Sequence, residues 1–289
     1  METPRLAGPP PPPSCADQPL ANRYSLRHEL GSGASGTVFL ARDRVARRDV
    51  ALKLIPDQVL GTDGDQPRGR ALREARVLAR LHHPGIPRLY EIGEFPGGLF
   101  IAMELIEGTR LDALIGERTP LPEAMAVHLA RQALAALGHV HAAGALHRDL
   151  KPENFILGRE DRVYLIDFGF ATHAGAMPLT MEGQTLGTVA YMAPEQLRCE
   201  VSPASDLYSV GMILHELLTG ALPWRGCRTE NELALAIMLR FGDALPAPSR
   251  AVSPGLWEVV KKACAAEPEE RYATAESFGE ALRAVAEKS

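Results

Sequence analysis

The stretch His147-Arg148-Asp149-Leu150-Lys151-Pro152-Glu153-Asn154 gathers an aspartate, a lysine and an asparagine into one short segment around a proline. A strand-like run, Arg162-Val163-Tyr164-Leu165-Ile166, then leads into Asp167-Phe168-Gly169. These residue types suit one chemistry. A hydroxyl nucleophile needs a positioned carboxylate to take its proton, and Asp149 is the candidate base. Asn154 and Asp167 offer side-chain oxygens, the ligands preferred by magnesium, a hard cation that also bridges substrate phosphates. Lys151 sets a positive charge beside a phosphoryl group in transfer. A plain polar loop with a turn proline would require none of these letters in this order.

Upstream, Gly31-Ser32-Gly33-Ala34-Ser35-Gly36-Thr37-Val38 has the form G-x-G-x-x-G-x-V. Alone this is a weak signal, because dinucleotide-binding folds share its opening. That fingerprint opens a helix, however, whereas Thr37-Val38-Phe39-Leu40 continues as a strand. A second strand, Val50-Ala51-Leu52-Lys53, follows and ends in lysine. Glycines in such a hairpin let backbone amides come close to phosphates. With the HRDLKPEN and DFG segments downstream in this order, the chain resembles the eukaryotic-type (Hanks-type) Ser/Thr protein kinase family. Gly187-Thr188-Val189-Ala190-Tyr191-Met192-Ala193-Pro194-Glu195-Gln196 has the form typical of its bacterial members.

The resemblance implies an α+β, two-lobed protein kinase fold, with a small β-rich N-lobe carrying one main helix and a larger helical C-lobe. Residues 23–106 would form the N-lobe and hinge and residues 107–289 the C-lobe, after a disordered proline-rich arm at 1–22. It implies ATP and Mg2+ as cofactors, a protein substrate with a Ser or Thr acceptor, and a transient dimer for trans-autophosphorylation. Lys53 would hold the α/β-phosphates, steadied by Glu74. Gly31, Gly33 and Gly36 would approach the phosphates. Val38 and Ala51 would cover the adenine, with Met103 behind it, Ile156 also in the nucleotide site, and hydrogen bonds from the backbone of Glu104 and Ile106. Asn154 and Asp167 would hold the metal. Thr188 would reach Asp149 and Lys151 and mark Ser/Thr specificity. Asp206 would hydrogen-bond the backbone of the HRD segment, and Arg271 would be the buried partner of Glu195. Arg148 marks members whose activation segment is ordered by phosphorylation. Thr180 and Thr185 are its candidate acceptors, Thr185 being nearer the anchored end.

Two alternatives stand beside this reading. A pseudokinase scaffold would have lost at least one of Lys53, Asp149, Asn154 and Asp167, and all four are present. A small-molecule kinase of related fold would generally lack the A-P-E segment.

Composition narrows the field further. The 289 residues, 46% hydrophobic and 23% charged, fit a two-lobed globular enzyme. A formal net charge of −5 gives no reason to expect nucleic-acid or polybasic membrane binding. Four widely separated cysteines without a C-x-x-C pair point to a reducing, cytoplasmic setting. None of the nine histidines has metal-ligand spacing, and His139 and His141 read as surface or capping groups. No apolar run is long enough for a membrane span, and Pro9 to Pro13 interrupts any signal-peptide core. Gly/Asp-rich composition predicts a loop at 57–69, and hydrophobic spacing predicts a helix from Arg70, with Leu72, Ala75, Leu78, Ala79 and Leu81 at helical intervals, and strands at 89–92 and 99–103. Helices are expected at 124–141, after Ser205, and at 274–287.

Overall fold

The fold is that of a computed structural model, which describes residues 19–33, 36–60, 72, 77, 79–167, 189–224, 226–239, 245 and 252–287. Five strands open the chain: β1 (Tyr24–Gly33), β2 (Gly36–Asp43), β3 (Arg48–Pro56), β4 (Leu89–Phe95) and β5 (Gly98–Glu104). They form one sheet in the order β1-β2-β3-β5-β4, with every neighbouring pair antiparallel. Successive side chains of a strand point to opposite faces. Val50, Leu52 and Leu54 therefore join Phe100, Ala102 and Tyr24 in one apolar cluster. Ala51, Lys53 and Ile55 take the other face. There the register sets Lys53 against Val38 and Ile101, and Ala51 against Met103.

The stretch read as a disordered arm ends earlier than expected. Leu20 bridges Tyr24, and Asn22 N–H donates to the Pro19 carbonyl at 3.0 Å, so residues 19–22 already form a turn. Arg23 anchors that turn, donating to Asp43 at 2.6 and 2.8 Å and to Glu91 at 2.5 Å. The Arg23 guanidinium holds the buried Asp43 carboxyl down to about 2. The loop expected at 57–69 is also modified, since Asp57–Leu60 form a short helix, α1. Of the helix expected from Arg70, Leu72 and Val77 are helical. Glu74 lies outside the described residues.

The second lobe holds α2 (Leu111–Arg118), α3 (Glu123–Ala142), α4 (Pro203–Thr219), α5 (Glu230–Leu239), α6 (Pro254–Ala263) and α7 (Ala275–Ala286). A small antiparallel sheet joins β6 (Gly108–Arg110), just after the first lobe, to β7 (Phe155–Gly158) and β8 (Val163–Leu165), which directly follow residues 147–154 in the chain. Helix α3 starts after Pro122 with Glu123 in its first turn, a sequence suited to a helix N-terminus. Its alanines and leucines allow close packing against α4, α7 and β8. At one crossing the fold demands glycine. A Cβ on Gly211 of α4 would come within 2.8 Å of Cys264 Sγ and 2.9 Å of Ala263 Cβ at the end of α6. Among the described residues no helix is long and apolar enough to cross a membrane.

Candidate active site

The catalytic segment hangs from α4 by its backbone. Asp206 is 1% exposed on a helix that is otherwise largely apolar, a costly place for a carboxylate without partners. Its Oδ2 accepts His147 N–H at 3.0 Å and its Oδ1 accepts Arg148 N–H at 2.9 Å. Arg148 adopts φ 70° and Asp167 φ 57°, left-handed conformations that a non-glycine residue keeps only where its surroundings impose them. A second tether is one that sequence reasoning missed. Gln196 donates from Nε2 to the Arg148 carbonyl at 3.0 Å while its Oε1 accepts Ala193 N–H at 2.9 Å. The only signal for it was the glutamine following A-P-E.

These tethers position the reactive groups. Asp149 Oδ2 is 3.1 Å from Lys151 Nζ. Asn154 Nδ2 donates to the Asp149 carbonyl at 2.6 Å and lies 3.5 Å from its carboxylate. The Asn154 carbonyl accepts Ile166 N–H at 2.8 Å, which fixes the chain just before Asp167. Asp167 in turn pairs with Lys53, reaching from β3 in the other lobe. Lys53 is 1% exposed and Asp167 30%, so the lysine is enclosed by protein while the carboxylate still opens outward.

The imidazole of His147 is fully buried, with Nε2 3.2 Å from the Ile166 carbonyl. Burial lowers its pKa from the ordinary 6.5, against the nearby Asp206 and Asp149. Below the unfolded value the unfolded chain binds more protons than the folded one. The stabilisation is therefore complete above about pH 6.5 and is lost as the pH falls. The thermal midpoint should drop on acidification from about pH 7.5 to 5.5, and His147→Phe should reduce that drop. His83, lowered by burial and by His139, accounts for part of the remainder. Equal pH profiles for the two proteins would contradict this role for His147.

The glycines divide into two kinds. Gly36 has φ 124°, and a Cβ there would run into the Leu54 carbonyl, so the fold itself requires it. An added Cβ at Gly31 or Gly33 would meet no atom of the described residues within 4 Å. Packing among the described residues does not demand glycine at those two positions. What glycine permits there is close approach to the backbone from outside. Val38, Ala51 and Met103 share the sheet face of Lys53. Glu104 N–H donates to the Arg88 carbonyl at 2.8 Å. Ile106 follows β5 in the connecting segment, and Ile156 lies on β7 opposite Tyr164 and Arg110. Thr188, Thr180 and Thr185 lie outside the described residues, as do Phe168 and Gly169.

A lysine from one lobe thus meets an aspartate of the other, beside an aspartate, a lysine and an asparagine on a tethered loop. The protein kinase domain family model matches residues 24–281. The chain belongs to the protein kinase domain family. It is 41% identical over 257 residues to the serine/threonine-protein kinase PknD of Mycobacterium tuberculosis, covering 87% of this chain and 38% of that protein. It is 39% identical over 267 residues to PknE of Mycobacterium bovis, covering 90% of this chain and 46% of that one. With PknL of M. tuberculosis it shares 38% identity over 274 residues, 93% of this chain and 67% of the relative.

In this kinase domain the A-P-E end of the activation segment is fastened by buried polar groups. Arg271 forks onto Glu195 at 2.6 and 2.8 Å, and Ser205 donates to the same carboxylate at 2.8 Å. Burial works to raise the Glu195 pKa, but the Arg271 pair and Ser205 outweigh it and hold it low. Tyr191 donates to Glu216 at 2.5 Å, and Ser209 donates to the Tyr191 carbonyl at 2.8 Å. Burial, reinforced by Glu216, pushes the Tyr191 hydroxyl well above its usual range. It remains a hydrogen-bond donor. Trp224 closes the set, its indole N–H donating to the Ala190 carbonyl at 2.8 Å.

Proposed function

We propose that this chain is an active Ser/Thr protein kinase, transferring the γ-phosphoryl group of ATP to Ser or Thr hydroxyls of proteins and of copies of itself. The observation that carries the proposal is the Lys53–Asp167 pair. It joins a phosphate-binding cation to a metal-binding carboxylate across the two lobes, facing the Asp149 loop. Lys53 orients the phosphates, with Glu74 as its proposed partner. Gly31, Gly33 and Gly36 bring backbone to them, and Val38, Ala51, Met103 and Ile156 border the base. The backbone of Glu104 and Ile106 supplies its hydrogen bonds. Asp149 takes the proton of the acceptor hydroxyl, and Lys151 balances charge on the group in transfer. Thr188 steadies Asp149 and Lys151.

Asp167 and Asn154 are too few for an all-protein cage, which suits Mg2+, a cation that completes its shell with waters and substrate phosphates. When bound, held by Asp167 and Asn154, it would supply positive charge that offsets charge on the transferring phosphates. The intact Lys53, Asp149, Asn154 and Asp167 set disfavours a scaffold without chemistry. The fastened A-P-E segment disfavours a small-molecule kinase.

Lys53→Met should still bind ATP while kcat falls on the order of 100-fold or more, because alignment of the phosphates rather than affinity is lost. Nucleotide titration by calorimetry alongside steady-state transfer tests this. A variant that turns over normally would remove Lys53 from the mechanism.

A further inference from the structure

We propose that His83 and His139 form a pH-sensitive latch between the segment that leads into β4 and the second lobe, closed while His83 is neutral and open once it is charged. Its bearing on transfer rests on the kinase reading above. His139 stands in the last turn of α3, where the sequence suggested a surface or capping group. Instead its ring faces that of His83, with centroids 5.5 Å apart and planes tilted by 32°. His83 Nδ1 accepts the N–H of Gly85 at 3.0 Å, so the neutral ring carries its hydrogen on Nε2. Protonation would place a second hydrogen on Nδ1, pointing at the Gly85 N–H. Charging His83 therefore breaks this bond, and a charged His139 opposes that step by repulsion.

Gly85 is the point at which the segment is fastened. It is buried, and its carbonyl accepts Leu165 N–H at 2.8 Å. A Cβ on it would come within 2.8 Å of the Val163 carbonyl, so its backbone lies directly against β8. Leu165 stands two residues before Asp167, the partner of Lys53. Loss of the His83 acceptor leaves a buried N–H unpaired, which the segment relieves by drawing away from β8. The strand that delivers Asp167 then loses a hydrogen bond. Burial and His139 both lower the His83 pKa from 6.5. The latch is therefore fully formed above about pH 6.5 and is lost as the pH falls through the folded value. Among the described residues, the neighbouring charged and titratable groups are engaged elsewhere. On its own segment Arg80 and His82 are exposed, the latter with Nδ1 2.9 Å from the Arg80 carbonyl. On α3, His128 meets Gln132 at 2.9 Å and His141 donates to Asp206 at 2.8 Å. Strand β8 adds apolar Val163 and Leu165, with Tyr164 packed towards Gly158.

His83→Asn keeps an oxygen acceptor for the Gly85 N–H but cannot be charged, and His139→Phe keeps a ring without a charge. The His83 ring protons and the Gly85 amide are followed by NMR from about pH 7.5 to 5.5. Amide exchange of residues 84–87 and 163–166, corrected for its intrinsic pH dependence, is measured over the same range. In the unaltered chain the Gly85 amide should shift with the midpoint of the His83 ring. Protection of both segments should fall about tenfold per pH unit below that midpoint. His83→Asn should keep its protection, and its kcat should fall severalfold less on acidification. His139→Phe should move the His83 midpoint upward. His147 titrates in all these proteins, so the comparison removes its share. A Gly85 amide indifferent to the His83 titration overturns the latch, and this reading needs no variant to fold. So does a His83→Asn protein that loses protection over the same range as the unaltered chain. Absence of transfer in the unaltered chain would refute the kinase reading, while the resonances and the exchange would still decide the latch.

Discussion

Asp149→Asn is expected to lower kcat by about 10²–10⁴-fold, the usual range for removal of a positioned general base. The substitution keeps side-chain volume and one oxygen but replaces a proton acceptor with an amide that cannot take the proton. Asp149 is held from two sides, by Lys151 at 3.1 Å and by Asn154, and neither contact builds the core. The thermal midpoint should therefore stay within a few degrees, and the KM for ATP should change little, because Lys53 and the glycine hairpin lie in the other lobe. Steady-state transfer to a protein substrate, with a melting curve as control, checks both. A loss below about fivefold would show that the proton leaves by another route.

The second large effect falls on stability. Arg271 is fully buried, and each of its five N–H groups has an acceptor. Nε donates to the Ala265 carbonyl, one terminal nitrogen to Glu195 and Ala204, and the other to Glu195 and Ala266. Arg271→Ala would leave Glu195 as a buried charge supported mainly by Ser205, at a cost of about 3–5 kcal/mol. For a domain of this size that corresponds to a fall in Tm of roughly 6–20 °C. Arg271→Lys should rescue little, since an ammonium cannot match the planar fork. Replacing both partners with apolar residues of similar volume, Glu195→Leu with Arg271→Met, should recover a substantial part of the loss. Glu195 is held below its unfolded value, so the pair's contribution is present above the ordinary carboxylate range and disappears as the pH falls through the folded value. An Arg271→Ala protein melting within about 2 °C of the unaltered chain would contradict a structural role for the pair.

The catalytic segment was legible because its chemistry needs particular side chains at close sequence spacing. The hairpin Gly31 to Val38 and the strand ending in Lys53 were legible from the glycine spacing that continues as strand and from the apolar run closing in lysine, and α3 and α7 as long helical runs. Other elements left weaker traces. Strands β6 and β7 are three and four residues long, too short for an alternation to register. Helix α5, Glu230–Leu239, leaves Leu235, Met238 and Leu239 exposed, so its apolar residues mark no single inward face. Gln196 and His141 escaped for another reason. Their partners, Arg148 and Asp206, are distant in sequence, and only folding makes a capping glutamine into a loop tether or a helix-end histidine into a carboxylate partner. Backbone roles such as that of Glu104 leave no side-chain signature at all.

The central claim is tested most directly by phosphoamino-acid analysis. The phosphatase-treated chain is incubated with Mg2+, γ-labelled ATP and a generic protein acceptor, beside its Asp149→Asn form. Label on phosphoserine or phosphothreonine in the acceptor, dependent on Mg2+ and absent from the Asp149→Asn reaction, is the predicted result. No protein-bound label from the unaltered chain, or equal labelling by both forms, would contradict it.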